Sequence, residues 1–242
     1  MAYENQGDRD SAEAIKGRNT LHDRCMLTRP SGTSGAGSGD SLMTIPDGYT
    51  DLPPGKIASV VTFLEMRQRP QTKTTDAPLG LAIRKVSKPN LDWYRKLYRA
   101  VGQDWLWFSR LRMSDEELAG ILQDTRVSLF TLSEDREDKG LLELDGRVGS
   151  ELEIAYFGIT RDLLGRGAGR YLMEHALSAA WDRSPKRVWV HTCTLDHPRA
   201  LAFYMKAGFT PYKRAVEIAD DPRLTGEAPR TAAPHVPIIG TQ

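Results

Sequence analysis

Gly165, Gly167 and Gly169 stand at alternate positions in the run DLLGRGAGRYLM, after the apolar segment ELEIAYFGI at 151–159 and before a stretch with helical periodicity. A strand, a glycine turn and a helix N-terminus in that order build a site for a phosphate-bearing ligand. Amides of the first helical turn have no intrahelical partner, the peptide dipoles add partial positive charge, and glycine lets an anion approach without meeting a Cβ. The ligand's reactive end would lie back along the strand, beside Glu153 to Ile159.

Two better-known phosphate motifs do not fit. A P-loop needs Lys then Ser or Thr after its last glycine, whereas Arg170 and Tyr171 follow here. The dinucleotide fingerprint GxGxxG needs uneven glycine spacing and opens a doubly wound sheet, while this turn lies late in the chain behind strands that read as antiparallel.

The elements that must position this turn are legible on both sides. Ile57 to Met66 is rich in β-branched residues between turn formers and reads as a first strand, and Leu81 to Val86 as a second. Asn90 can cap a helix on which Leu91, Tyr94, Leu97, Tyr98 and Val101 recur at helical spacing, and Ser114 with Glu117 makes a capping box for another through Leu122. Arg126 to Leu132 and Lys139 to Asp145 form a hairpin about the charged turn SEDRED. The glycine turn opens a helix with Leu172, Ala176, Leu177, Ala180 and Trp181 on one face, ended by Ser184 and Pro185; Arg187 to Thr192 returns as a strand, a right-handed parallel crossover. A helix from Pro198 to Ala207 stops at Gly208, and Phe209 to Ile218 is the last strand.

The chain of 242 residues can bury a sizeable core in one domain, expected over 56–218. Residues 1–55, with SGTSGAGSGDS, read as a disordered arm in which Met43 is an alternative first residue, and 219–242 as a proline-rich tail draped on the surface. Thirty-three basic against 32 acidic residues give a net charge of +1, which supplies no field for nucleic acid or a membrane surface. Two cysteines, Cys25 and Cys193, make neither a disulfide framework nor a zinc cluster, and His191 with His197 lacks a third ligand, so no metal is expected. With no apolar run of membrane length and a polar N-terminus, a cytoplasmic protein is expected.

Taken together, the turn and the later HPRALAFYMKAGF make residues 80 to 215 resemble the GNAT superfamily of acyl-CoA N-acyltransferases. The first signature, Gln or Arg followed by spaced glycines, falls on Leu164, Gly165, Arg166, Gly167, Ala168 and Gly169, with Leu164 in place of the polar residue. The second falls on His197, Ala200, Tyr204, Gly208 and Phe209, with His197 in place of the common Asn. The resemblance implies an α/β (α+β) fold whose mixed antiparallel and parallel sheet splays into a V-shaped cleft between 151–159 and 187–192, flanked by helices. It further implies that acetyl-CoA or another acyl-CoA is the co-substrate. Its pantetheine arm would meet Phe157, Gly158 and Ile159, and its diphosphate the amides of Arg166, Gly167, Ala168, Gly169 and Arg170, with His197 alongside.

Transfer to an amine needs the neutral nucleophile, which at a pKa of about 10.4 is scarce at neutral pH. Glu153 stands where many members of the family carry a catalytic glutamate, with Glu151 on the same face and Glu143 on the neighbouring strand as the other candidates. Tyr204 is the expected proton donor to the leaving thiolate, and its plainer role is a core aromatic. Trp105, Trp107 and Arg110 are the candidates for the acceptor wall, with plain core as their alternative. The expectation is an N-acetyltransferase acting on a small-molecule amine by direct attack in a ternary complex. A non-catalytic acyl-CoA sensor, a protein lysine or N-terminal acetyltransferase, and a pairing of two copies stay open.

Overall fold

The computed structural model describes residues 47–71 and 77–240. Most of the segment read as an arm, with Met43 and Cys25, lies outside the described residues. The described residues from Gly48 onward cluster as one compact unit.

Its centre is a seven-stranded sheet of β1 (Lys56–Met66), β2 (Leu81–Val86), β3 (Val127–Glu134), β4 (Glu137–Asp145), β5 (Glu151–Ile159), β6 (Arg187–Cys193) and β7 (Thr210–Asp220), in the order β2-β3-β4-β5-β6-β1-β7. All neighbours are antiparallel except β5 and β6. The first strand thus lies deep in the second half of the sheet, with Phe63 opposite both His191 of β6 and Lys213 of β7. The β3–β4 hairpin turns on two residues, Asp135 and Arg136, with φ of 49° and 68°; this is the left-handed pair that matches strand twist in a tight hairpin.

Helices cover both faces. On one lie α1 (Leu91–Gly102), the single turn α2 (Ser109–Arg112) and α3 (Asp115–Leu122), which bury Tyr94, Leu97, Tyr98, Val101, Leu118 and Leu122 against Leu129 and Leu141. On the other, α4 (Ala168–Trp181) buries Leu172, Met173, Ala176, Leu177 and Ala180 over Leu142, Leu144, Leu152, Ile154, Val188 and Val190, and α5 (Ala200–Lys206) adds Tyr204. The local signals act as the chain chemistry requires. Asn90 accepts the Trp93 amide at 3.0 Å, and Ser114 and Glu117 exchange both bonds of a capping box at 3.2 and 2.8 Å. Gly208, at φ 103°, lets the Phe209 amide reach the Tyr204 carbonyl at 3.1 Å, the bond that closes a Schellman motif. The helix read as starting at Pro198 begins instead at Ala200, because His197 Nδ1 and its carbonyl take the amides of Arg199 and Ala200 and hold 197–199 as a turn.

The C-terminal segment is organised around a buried charge. Within α6 (Pro222–Thr225), the Arg223 guanidinium meets Asp221 through Nε at 2.9 Å and Nη2 at 2.7 Å, while Nη1 donates to the carbonyls of Ala232, Ala233 and Val236. Ala228, Ala232 and Ala233 then pack with Ile57 and Leu106, and the Gly55 amide donates to the Ile239 carbonyl at 2.7 Å. Removing one partner of a buried ion pair leaves the other charge stranded. Arg223→Ala is therefore expected to lose about 3–5 kcal/mol of stability in urea denaturation; a loss below about 1 kcal/mol would show that the tail is draped rather than built in.

Candidate active site

The parallel ladder between β5 and β6 has three rungs, Glu151 with Arg187, Leu152 with Val188 and Glu153 with Trp189. It stops there because β5 carries a bulge: Glu143 of β4 faces Tyr156 and Leu144 faces Ile154, leaving Ala155 as the extra residue. A bulge bends its strand and breaks the pairing locally. From Ile154 to Ile159, β5 has ladder partners on β4 alone among the described residues, so its other edge presents free N–H and C=O groups to the gap. Gly158 brings this strand against its cover: a Cβ there would meet Val101 Cγ1 at 2.4 Å and Trp107 Cη2 at 3.3 Å.

The end of β5 meets the start of α4. A Cβ on Gly169 would lie 3.8 Å from Ile159 Cδ1. Gly167 is the N-cap of α4, at φ 81°, and among the described residues no side chain caps the helix; Gly165 has φ 78°. Among the described residues a Cβ on either glycine would meet nothing closer than Pro78 at 3.8 Å, and what both supply is a left-handed backbone. Among the described residues the first-turn donors thus have no side-chain cap, a cradle that fits an anionic diphosphate. The arginine side chains are already engaged: Arg166 pairs with Glu134, which also takes Lys139 at 3.1 Å, and Arg170 lies 3.7 Å from Glu174.

The three candidate carboxylates have different company. Glu143 is fully buried, with Arg110 Nη2 and the Tyr94 hydroxyl each donating at 2.6 Å. Glu151 is tied to Arg187, which also holds Glu65. Glu153, on the last rung, faces His191, with Oε1 3.4 Å from Nδ1. Burial lowers the basicity of His191, but Glu153, Asp196 and Glu217 more than offset this and raise its pKa above the ordinary imidazole value.

The remaining expected residues pack among aromatic rings and around Asp196. Tyr204 is buried, its ring edge-on to Phe157 and Phe209, and burial followed by the charge of Asp196 pushes its hydroxyl well above the phenol range. Trp107 packs on Tyr98 and Tyr156 and donates through Nε1 to Asp196 at 3.3 Å. Trp105 lies edge-on to His197, whose pKa is lowered by burial and by Arg199. Leu106 between the two tryptophans is buried at φ 54°, a left-handed kink that sends them to different partners. Arg110 stacks on Tyr156 at 4.9 Å and belongs to the Glu143 network, so it could shape an acceptor wall only through that ring. Burial, then Asp196, pushes the Cys193 thiol up to about 11, which leaves it protonated at neutral pH and no nucleophile.

Sequence reasoning weighed His191 as a metal ligand and passed over Asp196. Among the described residues, no group of three or more His, Cys, Asp or Glu is placed to hold a metal ion. Nor is any helix there long and apolar enough to cross a membrane. Asp196 accepts from Thr192 Oγ1 at 2.8 Å, the Cys193 amide at 2.9 Å and Trp107, joining β6 to the wall across the gap. His191 lies two residues, one strand repeat, beyond Trp189, the partner of Glu153, a register that the sequence does not carry.

The sequence model of the acetyltransferase (GNAT) family matches residues 90–209. Among solved structures, the GCN5-related N-acetyltransferase of Sphaerobacter thermophilus superposes with a TM-score of 0.51 at 16% identity, over 67% of this chain and 52% of that one. A GCN5-related N-acetyltransferase from Kribbella flavida gives 0.47 at 14% identity, over 71% and 63%. The chain thus spans between half and two thirds of the length of these two proteins, and the first likeness bears on the fold alone. No curated protein sequence matches the chain.

The Glu143 network yields a direct test. Arg110→Ala strands a carboxylate with no exposed surface and is expected to cost about 3–5 kcal/mol by chemical denaturation. A change below about 1 kcal/mol would remove Arg110 from the core.

Proposed function

This chain carries a domain of the acetyltransferase (GNAT) family at residues 90–209, and on that premise we propose that it moves an acetyl or other short acyl group from acyl-CoA to the primary amine of a small molecule. The observation that carries this reading is the meeting of an uncapped helix N-terminus with a β5 edge freed by a bulge, with a carboxylate on the last rung before the gap. Acyl-CoA would supply an activated thioester. The amides of Ala168, Gly169 and Arg170 bind its diphosphate, and the free edge of Phe157 to Ile159 pairs with the amide-bearing pantetheine arm. A backbone N–H on that edge stabilises the negative charge that develops on the carbonyl oxygen.

Glu153 is the carboxylate that drives proton removal from the acceptor. Glu143 has both oxygens taken, and Glu151 is neutralised by Arg187. Tyr204 directs its hydroxyl at the sulfur. Its raised pKa keeps it protonated, and because full transfer to a thiolate is uphill by about 1.4 kcal/mol for each pKa unit, its contribution is hydrogen bonding to the leaving sulfur as charge builds there. The contacts of Trp105 with His197 and of Trp107 with Asp196 tie the two sides of the cleft, which favours a small amine over an extended polypeptide acceptor.

The test is thiol release from acetyl-CoA across a panel of amines. Glu153→Gln and Tyr204→Phe are each expected to lower kcat by about a hundredfold or more, with CoA affinity by calorimetry within twofold of the parent. Full activity in both variants removes these roles, and tight CoA binding with no product from any amine identifies a binding module in place of an enzyme.

A further inference from the structure

Glu153 is not the member of its pair that the cleft can reach. Its side chain is 9% exposed, whereas that of His191 is 30% exposed. Register explains why. Glu153 sits on the last rung opposite Trp189, and His191 is two residues further along β6, the first position on the same face that lies inside the opened gap. The imidazole packs against Phe63, with ring centroids 5.7 Å apart, and against Trp189 at 6.2 Å. Nδ1 is buried 3.4 Å from Glu153 Oε1, and among the described residues it has no hydrogen-bond partner that satisfies it more closely. A proton on Nδ1 facing the carboxylate leaves Nε2 with the free lone pair.

Resting on the transferase reading, we propose that His191 is the group that receives the acceptor's proton, with Glu153 behind it as the carboxylate that positions it. A bond forms between Nε2 and a proton as the ammonium N–H bond breaks, and the electron pair stays on the amine nitrogen. That nitrogen bonds to the thioester carbon as the carbon–sulfur bond breaks, with the bonding pair leaving on sulfur. The second proton lost by the amine goes to the sulfur, so each turnover releases a thiol and leaves one proton on His191, which solvent removes.

The surroundings fit this task. Glu153 on β5, Asp196 after β6 and Glu217 on β7 act on the imidazole with negative charge. Lys213 of β7 stands over the Phe63 ring at 5.0 Å and Arg112 acts on Glu217, so the nearby cations meet other groups first. These carboxylates hold the imidazole above its ordinary value against the effect of burial. A base of raised pKa is protonated, and inactive, below that value and works above it.

Two measurements on the full chain decide the matter. In an NMR titration, with the His191 signal assigned by its loss in His191→Gln, the imidazole midpoint is expected above about 6.5 and to fall by about one unit or more in Glu153→Gln. In steady-state assays, the acid limb of kcat/KM is expected to follow the same midpoint, and His191→Gln to lower the plateau kcat about a hundredfold while CoA affinity stays within twofold. A midpoint indifferent to Glu153→Gln, or wild-type turnover retained within threefold in His191→Gln, overturns this proposal and leaves the transferase reading standing. Absence of turnover by the wild type with any amine overturns that reading and this proposal together.

Discussion

One extra residue in one strand, Ala155 of β5, sets the rest of the site. Ladder pairing between β5 and β6 ends at Glu153 because the bulge bends β5 there, and the strand leaves the sheet on that side with its polar edge exposed. Unpaired backbone groups in a protein interior are costly unless something pairs them. The same bend delivers Ile159 to the first turn of α4, whose own amides lack a side-chain cap among the described residues. Two sets of unsatisfied donors therefore lie in one continuous path, which suits a ligand carrying an anion at one end and amides along its length.

Around that path the protein arranges charge by neutralising it selectively. Each candidate carboxylate could serve as a base in isolation, yet Arg110 and Tyr94 occupy Glu143 and Arg187 occupies Glu151, leaving the Glu153–His191 pair at the gap. Asp196 extends the arrangement by gripping β6 and the Trp107 indole together. The C-terminal segment braces the same wall. Its alanines pack with Leu106, beside both tryptophans, and with Leu195, beside Asp196, and Arg223 holds that segment in place through Asp221 and three carbonyls.

Features fixed by short-range chemistry were legible in the sequence. The caps at Asn90 and Ser114, the stop at Gly208 and the glycine turn before α4 all depend on neighbours within a few residues, and all occupy the expected places. Long-range pairing was not legible. Nothing in IASVVTFLEM says that β1 inserts between β6 and β7, since its alternation would satisfy any antiparallel neighbour. The bulge did leave a trace: core-facing residues of β5 run Leu152, Ile154 and then Phe157, Ile159, a change of phase that an unbroken strand would not show. The tail hid its order because its core is an arginine with its counter-charge, and composition rules look for apolar residues.

The central claim is that the free edge of β5 and the first turn of α4 are open donors that one ligand closes, and amide hydrogen exchange reads those donors individually. Without ligand, the amides of Ala168 and Gly169 and those on the free edge of β5 should exchange far faster than amides of the β3–β4 ladder. With saturating CoA they should slow together. Slow exchange at both places before CoA is added, or protection by CoA that falls elsewhere in the chain, would contradict the account.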